Sequence, residues 1–395
     1  MLSKNLLYFF NINLISNFIN IFRGVLLIFI LPPTIYGIWT IINSVVSLSK
    51  FSTLGLTQYF YFRGRTKYSE IIYTDFIPSM ILFLIIPSCF VISYATISYL
   101  LFLDISLGAF ECLIVFILPI ALSIRSLYLT QLKLCRSIKS LSNYELICSL
   151  LLMFQVLLGW MFGIVGVLFA ACLVLVPVIF TMRGVSYSSV NFVKFKKLLK
   201  YIQPALNVAL PLIAFTMLKY ADVWLSGWNL GVKWSGYLGI YITFTGLVAL
   251  PASIISTYFF TSFAREFRGS VSYTLKISAV NCLISFPTAY IGIKLFELLT
   301  INYLHDYLPA SHLLNSVWWS IPLLTLRNIV TNFLFANRIY LLELCVVISI
   351  VILKFVLWNF LEVADVLIIS NVVYCLATVI TLVFAVKIIN RRVMQ

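Results

Sequence analysis

The sequence predicts an all-α membrane protein of about twelve transmembrane helices, arranged as two six-helix lobes related by a parallel pseudo-repeat around a central cavity. Three observations predict it. Hydrophobic residues make up 62% of the chain and charged residues only 10%, with a mean hydropathy of +1.08, a composition that excludes a water-soluble fold. The apolar runs are roughly twenty residues long, the length of a spanning helix rather than of the ten-residue alternating strands of a barrel. Basic residues recur at every second connection.

The spans fall near residues 7–30, 35–59, 76–101, 107–128, 144–161 and 164–182 in the first half. Those of the second half fall near 203–228, 235–258, 273–299, 314–336, 339–361 and 366–387. The N-terminal stretch lacks the small-residue site of a cleaved leader and is expected to remain as the first helix. With 395 residues nearly consumed by helices, no room is left for a soluble catalytic domain.

Orientation follows from the basic residues. With both termini cytoplasmic, the inner segments hold Lys4, Arg63, Arg65, Lys67, Lys133, Arg136, Lys139, Arg183, Lys194, Arg265, Arg268, Arg338, Lys387, Arg391 and their neighbours, while the outer loops hold Lys233. Lysine and arginine are retained on the side of insertion, so this asymmetry predicts a bacterial inner (cytoplasmic) membrane protein with an even helix count. The eight tryptophans, Trp358 among them, fall toward the predicted outer ends, where an indole sits comfortably at the interface. The formal net charge of +15 is therefore a topology signal directed at anionic lipid head groups, and nucleic acid is excluded as a partner.

The predicted organisation is an N-terminal lobe over residues 1–183, a basic amphipathic cytoplasmic linker over 184–202, and a C-terminal lobe over 203–395. The linker reading rests on lysines interleaved with Phe192, Phe195, Leu198 and Leu199; a plain topogenic loop is the alternative. The repeat rests on weak pairs taken together. The predicted turn Ile35–Trp39 matches Ser235–Leu238, with Gly37 and Gly236 separated by 199 positions, and Arg125 and Arg136 match Arg327 and Arg338 at 202. Because each half holds six helices, the two must share one orientation, which predicts rocking about an axis along the membrane normal.

Function is sought among ionisable residues within the spans, since each costs roughly 2.5–3.5 kcal/mol at a helix centre on insertion scales. They are Arg23, Lys50, Arg125, Lys219, Asp222, Lys294, Arg327 and Lys354. Lys219 and Asp222 stand three apart and predict a self-neutralising pair, as do Lys294 and Glu297. Arg125 lies near an inner end, within snorkelling reach of the interface. Arg23, Lys50, Arg327 and Lys354 have no acid nearby in sequence. A net positive, aromatic-rich cavity follows, suited to phosphate oxygens. The candidate substrate-binding residues are Arg23, Lys50, Arg327, Lys354 and Lys219; Asp222, the single deep acid of the set, is the candidate for ion coupling. The eight scattered cysteines and two histidines form no metal-ligand or disulfide pattern, and no catalytic or cofactor-binding residues are assigned.

Several segments resemble the Wzx-type polysaccharide (O-antigen) flippases of the multidrug/oligosaccharidyl-lipid/polysaccharide exporter superfamily. They are Arg23-Gly24, Leu31-Pro32 followed by Tyr36-Gly37-Ile38-Trp39, Leu54-Gly55-Leu56, Ala221-Asp222, Gly231 and Gly236-Tyr237. The resemblance implies translocation of undecaprenyl-pyrophosphate-linked oligosaccharide repeat units from the cytoplasmic to the periplasmic leaflet. It further implies that Arg23 and Lys50 meet the pyrophosphate, with membrane lipids and the pathway's polysaccharide polymerase as candidate partners. The extra helix pair of lipid II flippases is missing, which argues against lipid II as substrate. Two rivals remain: a multidrug or cation antiporter of the same superfamily, which should offer more deep acids, and an integral-membrane polysaccharide polymerase or ligase. The latter should carry a large outer loop with catalytic residues, whereas the longest here, about 300–313, holds His305, Asp306 and His312.

Overall fold

The computed structural model describes residues 4–63, 76–134, 138–181, 192–249, 271–336 and 339–394. The described residues are helical throughout, with no strand among them, and the expected fold class is what they form. Seven continuous helical stretches are long and apolar enough to cross a membrane. One of these, Lys139–Ile179, is 41 residues long, about twice the length a bilayer requires.

The chain divides into two compact units. The first comprises Met1–Ile213 with Gly227–Gly236, and the second Ala214–Ser226 with Tyr237–Gln395. Unit 1 opens with α1 (Lys4–Ile30), which ends before the Pro32-Pro33 pair, and α2 (Pro33–Val46), which starts with proline in the first turn where no hydrogen bond is lost. The residues 35–39, read from sequence as a turn, are therefore the first turns of a helix. Next come α3 (Leu56–Arg63), α4 (Ile86–Phe102, entered through a π-helical turn at Ile81–Ile85), α5 (Ala109–Leu134), α6 (Ile138–Leu152), α7 (Phe154–Cys172) and α8 (Leu175–Thr181). Within α7, Gly163 has φ 58 and ψ −134, and the chain reverses there. The arms on either side touch: Gln155 donates to the carbonyl of Val167 at 3.3 Å, and a Cβ on Gly166 would sit 1.9 Å from the Leu158 carbonyl. This hairpin divides the 41-residue stretch into the fifth and sixth spans, at the place between residues 161 and 164 where the apolar pattern breaks.

The second span departs from expectation. It is not a helix over 35–59, because α2 gives way to a 3-10 turn at Ser47–Phe51, and Leu54 and Gly55 follow with φ of 51 and 80. The serines weaken the helix by bonding backward: Ser44 Oγ donates to Ile41 at 2.6 Å and Ser47 Oγ to Ser44 at 2.6 Å. Carbonyls freed by the break are met by other helices, Ser123 Oγ donating to Ser49 at 2.8 Å and Ser88 Oγ to Ser52 at 3.2 Å. Gly55 is required by its left-handed φ and by a close approach, since a Cβ there would lie 2.4 Å from that of Ala209.

The long α9 (Phe192–Leu230) and the following α10 (Val232–Val248) contribute to both units and are separated by Gly231 at φ 91. Within unit 1, α2 crosses the first turn of α10 at two glycines. A Cβ on Gly37 would lie 2.1 Å from the Val232 carbonyl, and one on Gly236 2.3 Å from that of Pro33. The two glycines matched by the repeat thus face each other reciprocally. Of the segment 184–202, residues 184–191 lie outside the described residues, and from Phe192 the backbone already belongs to α9. The basic loops around Arg65–Lys67 and Arg265–Arg268 also lie outside them.

Unit 2 continues with α11 (Val271–Asn302), α12 (Leu308–Val317), α13 (Ile321–Ala336), α14 (Tyr340–Leu357) and α15 (Val363–Met394). The expected outer loop at 300–313 is largely helical, with a 3-10 turn at His305–Tyr307 leading into α12. Its core includes Ala214, Leu218, Val347, Ile350 and Tyr374, and a second cluster joins Val330, Phe333, Leu334, Leu382 and Ala385. Apolar side chains such as Phe18, Tyr94, Leu283 and Phe360 stand exposed, as a surface solvated by lipid requires.

Candidate functional site

In unit 2, the helices α9, α10, α13, α14 and α15 surround a cavity of about 940 Å³, counted out to its open mouth. Its wall is mostly apolar, with a few convergent polar groups from Lys219, Asp222, Tyr241, Asn371 and Lys354. That combination is typical of a ligand site. Asp222 is 2% exposed, and both its oxygens are occupied. Lys354 Nζ binds Oδ2, and the indole N–H of Trp358 donates to Oδ1 at 3.1 Å. Asn371 Nδ2 donates to Tyr241 Oη and Ser320 Oγ, both at 2.9 Å.

The pairing corrects two sequence expectations. Asp222 is neutralised not by Lys219, one turn away, but by Lys354 on α14, which has no acid near it in sequence. Lys219 is exposed and lines the cavity, its Nζ 5.2 Å from the Tyr220 ring centroid. Trp358, expected at the membrane interface, is buried at the Asp222 carboxylate.

Arg327 is likewise corrected. It is 0% exposed, is absent from the cavity wall, and binds Glu343, which also accepts from Thr331 at 2.9 Å. Its guanidinium stacks 5.2 Å from the centroid of Tyr374, whose other surroundings include the cavity. Arg327 is thus a sealed ion pair beneath the cavity rather than a cation open to ligand. Asp222 is accordingly not the single deep acid, since Glu343 is 1% exposed.

Unit 1 holds a second polar cluster. Arg23 of α1 is half-buried; its Nε is enclosed and has no hydrogen-bond partner among the described residues. Arg125 of α5 donates to Glu145 of α6 at 2.8 Å, with the two side chains 23% and 26% exposed. Lys50, in the broken second span, is exposed, with Nζ 5.4 Å from the Phe51 ring centroid. Lys294 and Glu297 pair at 2.6 Å as expected and are exposed on α11.

Glu145 and Glu343, absent from the sequence-derived set, complete a pattern that links the halves. Arg125 pairs with a glutamate on the next helix, and so does its repeat partner Arg327. The offset of 199 between Gly37 and Gly236 also takes Arg23 to Asp222, since 222 − 23 = 199. Where the first half places a guanidinium, the second places a carboxylate with its own internal ammonium. No group of three or more potential metal ligands is found among the described residues.

No family model matches the chain, and no curated protein does. Among solved structures it is similar to the lipid II flippase MurJ in an inward closed conformation, with a TM-score of 0.71 and 15% identity over 96% of this chain and 87% of that one. It is also similar to an inward-facing multidrug resistance MATE family transporter of the MOP superfamily, with a TM-score of 0.63 and 11% identity over 95% of each chain. These likenesses establish the fold, a helical one with many membrane-length helices that this chain shares with both.

Proposed function

We propose that the chain is an inner-membrane flippase for undecaprenyl-pyrophosphate-linked oligosaccharide repeat units of a surface polysaccharide such as O-antigen, moving them from the cytoplasmic to the periplasmic leaflet by alternating access. The observation that carries this reading is the charge balance of the two sites. The cavity of unit 2 sets two cations, Lys219 and Lys354, against one acid, Asp222, and in unit 1 Arg23 is a further cation whose Nε is enclosed without a hydrogen-bond partner among the described residues. A surplus cation in a poorly solvated site is stabilised by an anion, and a diphosphate offers the oxygens that guanidinium and ammonium groups bind best. Tyr241 and Tyr374 line the cavity wall, where ring edges are proposed to pack against sugars. Lys50, exposed where the second span breaks, is the remaining cation proposed to meet the head group. Asp222 is the proposed coupling group, since a proton or cation there would release Lys354 toward the anion.

The likeness to a lipid II flippase favours a lipid-linked substrate, and that to a multidrug transporter supplies the rival. A cationic drug would need an acid free to meet it, and Asp222 is already held by Lys354 and Trp358. The reading is tested by replacing Arg23 or Lys50 with alanine and measuring surface polysaccharide. Display should be lost with the protein still in the membrane, and normal display in both variants would refute it. Deletion of the gene should leave the lipid-linked unit on the cytoplasmic leaflet. Build-up on the outer leaflet would point instead to a polymerase or ligase.

A further inference from the structure

The ion pair of Lys294 and Glu297 belongs to neither polar cluster described above, and it stands on a face of unit 2 that is otherwise apolar and open. Its helix, α11, buries 17% of its most apolar stretch, the smallest share among the seven membrane-length helices. Around the pair, Ile291, Leu295 and Leu298 are each more than half exposed. Lys294 and Glu297 keep 52% and 32% of their own side-chain surface open. A surface of this kind is solvated by lipid, where charge is costly without polar partners.

Depth decides what can reach the pair. The apolar stretch Ser278–Asn302 has 25 residues, roughly 37 Å of helix against a hydrocarbon layer of about 30 Å. Glu297 lies roughly 7 Å and Lys294 roughly 12 Å from the Asn302 end, close to the border between acyl chains and head groups. Lys294 Nζ reaches one turn toward that end to meet Glu297 Oε2 at 2.6 Å, which carries its charge to the border. One turn deeper, Tyr290 is exposed and its ring packs 5.5 Å from that of Trp318, an apolar wall for an acyl chain.

The two charges do not exhaust one another. An ammonium has three donors and a carboxylate about four lone-pair sites, and the bond between them uses one of each. The remaining donors belong to Lys294, the deeper residue, and the remaining acceptors to Glu297, one turn nearer the surface. A phospholipid whose head group ends in a primary amine has the matching order. Its phosphate lies on the tail side, and its ammonium lies beyond.

We propose that Lys294 and Glu297 form a docking site for a zwitterionic phospholipid with a primary amine, its phosphate on Lys294, its ammonium on Glu297 and an acyl chain along Leu295, Ile291 and Tyr290. The site is independent of the substrate assigned to the chain. A quaternary amine has no N–H to give Glu297, and an uncharged glycerol head group leaves that carboxylate beside a phosphate with no cation to answer it.

The test uses the full chain in detergent micelles, titrated with dioleoyl phosphatidylethanolamine, phosphatidylcholine and phosphatidylglycerol, with bound lipid counted by native mass spectrometry. The unaltered chain is expected to hold the ethanolamine lipid about tenfold more tightly than either of the others, the size of one charge-assisted hydrogen bond. Lys294→Gln and Glu297→Gln should each abolish that preference. The exchange Lys294→Glu with Glu297→Lys keeps both charges on the same exposed face but reverses their order, and it should lose the preference too. Choline lipid held as tightly as ethanolamine lipid overturns the proposal, and this comparison needs no variant to fold. Glycerol lipid held as tightly overturns it as well, by reducing the site to attraction between phosphate and lysine. A preference that survives the exchange or either glutamine variant would place the lipid elsewhere on the chain.

Discussion

Among single residues, the ion pairs decide most and were least legible. Sequence proximity matched Lys219 with Asp222, but helices in a bundle meet across their faces, and the carboxylate is met by Lys354, 132 positions away. The same holds for Arg327 and Glu343. Hydropathy marks a buried charge as costly without naming its partner. What the sequence did carry is the locations: Arg23, Lys219, Asp222 and Lys354 all stand at one of the two clusters. The sealed pair makes a stability prediction. Replacing Arg327 with Met or Glu343 with Gln alone strands a buried charge and should cost roughly 3–5 kcal/mol, whereas Arg327→Met with Glu343→Leu should cost far less. Thermal unfolding in detergent measures this, and singles no worse than the double would show that the pair is already solvated. At the cavity, Asp222→Asn removes the acid that holds Lys354. It should bring the protein to a state insensitive to the coupling ion, read as repeat-unit transport in vesicles with and without an ion gradient. Undiminished dependence on the gradient would take the coupling role from Asp222.

Among elements, the spans were legible because twenty apolar residues specify a helix whatever surrounds them, and the hairpin at Gly163 fell where the pattern breaks. The interruption of the second span was not, although its serines, Leu54 and Gly55 are plain in the sequence. Serine is tolerated in buried helices, and the break is tied to its neighbours by the Ser123 and Ser88 hydroxyls, which donate to the Ser49 and Ser52 carbonyls. The glycine crossing of α2 and α10 was half legible: the repeat matched Gly37 to Gly236, but their contact is tertiary. It predicts that Gly37→Ala and Gly236→Ala each lower the melting temperature, because the methyl would overlap backbone that cannot move aside without shifting a helix. Gly246, whose Cβ would meet nothing within 4 Å, is the control, and Gly246→Ala should be neutral or stabilising by up to about 1 kcal/mol. Equal tolerance at all three positions would show that the helices do not cross there.

For the whole molecule, the two halves are variations on one plan whose charges have diverged. Both pair an arginine of the fourth helix with a glutamate of the fifth, yet the first half carries Arg23 where the second carries Asp222. On the proposed function, a half with the guanidinium of Arg23 and a half with its own internal ammonium would divide the work of holding a diphosphate and of responding to an ion. That division has meaning only if both halves share one orientation, which the basic residues predict and a labelling experiment decides. Lys233, exposed just after Gly231, is assigned outside, and Lys139, exposed at the start of α6, inside. In a background with the eight native cysteines replaced, a cysteine at 233 should react with a membrane-impermeant maleimide in intact cells stripped of their outer membrane. A cysteine at 139 should react only after permeabilisation. Labelling of both from the same side would require an even number of crossings between them instead of three, and two parallel six-helix halves could not then be the architecture; the reverse pattern would turn the whole plan over and place the head-group entry on the opposite leaflet.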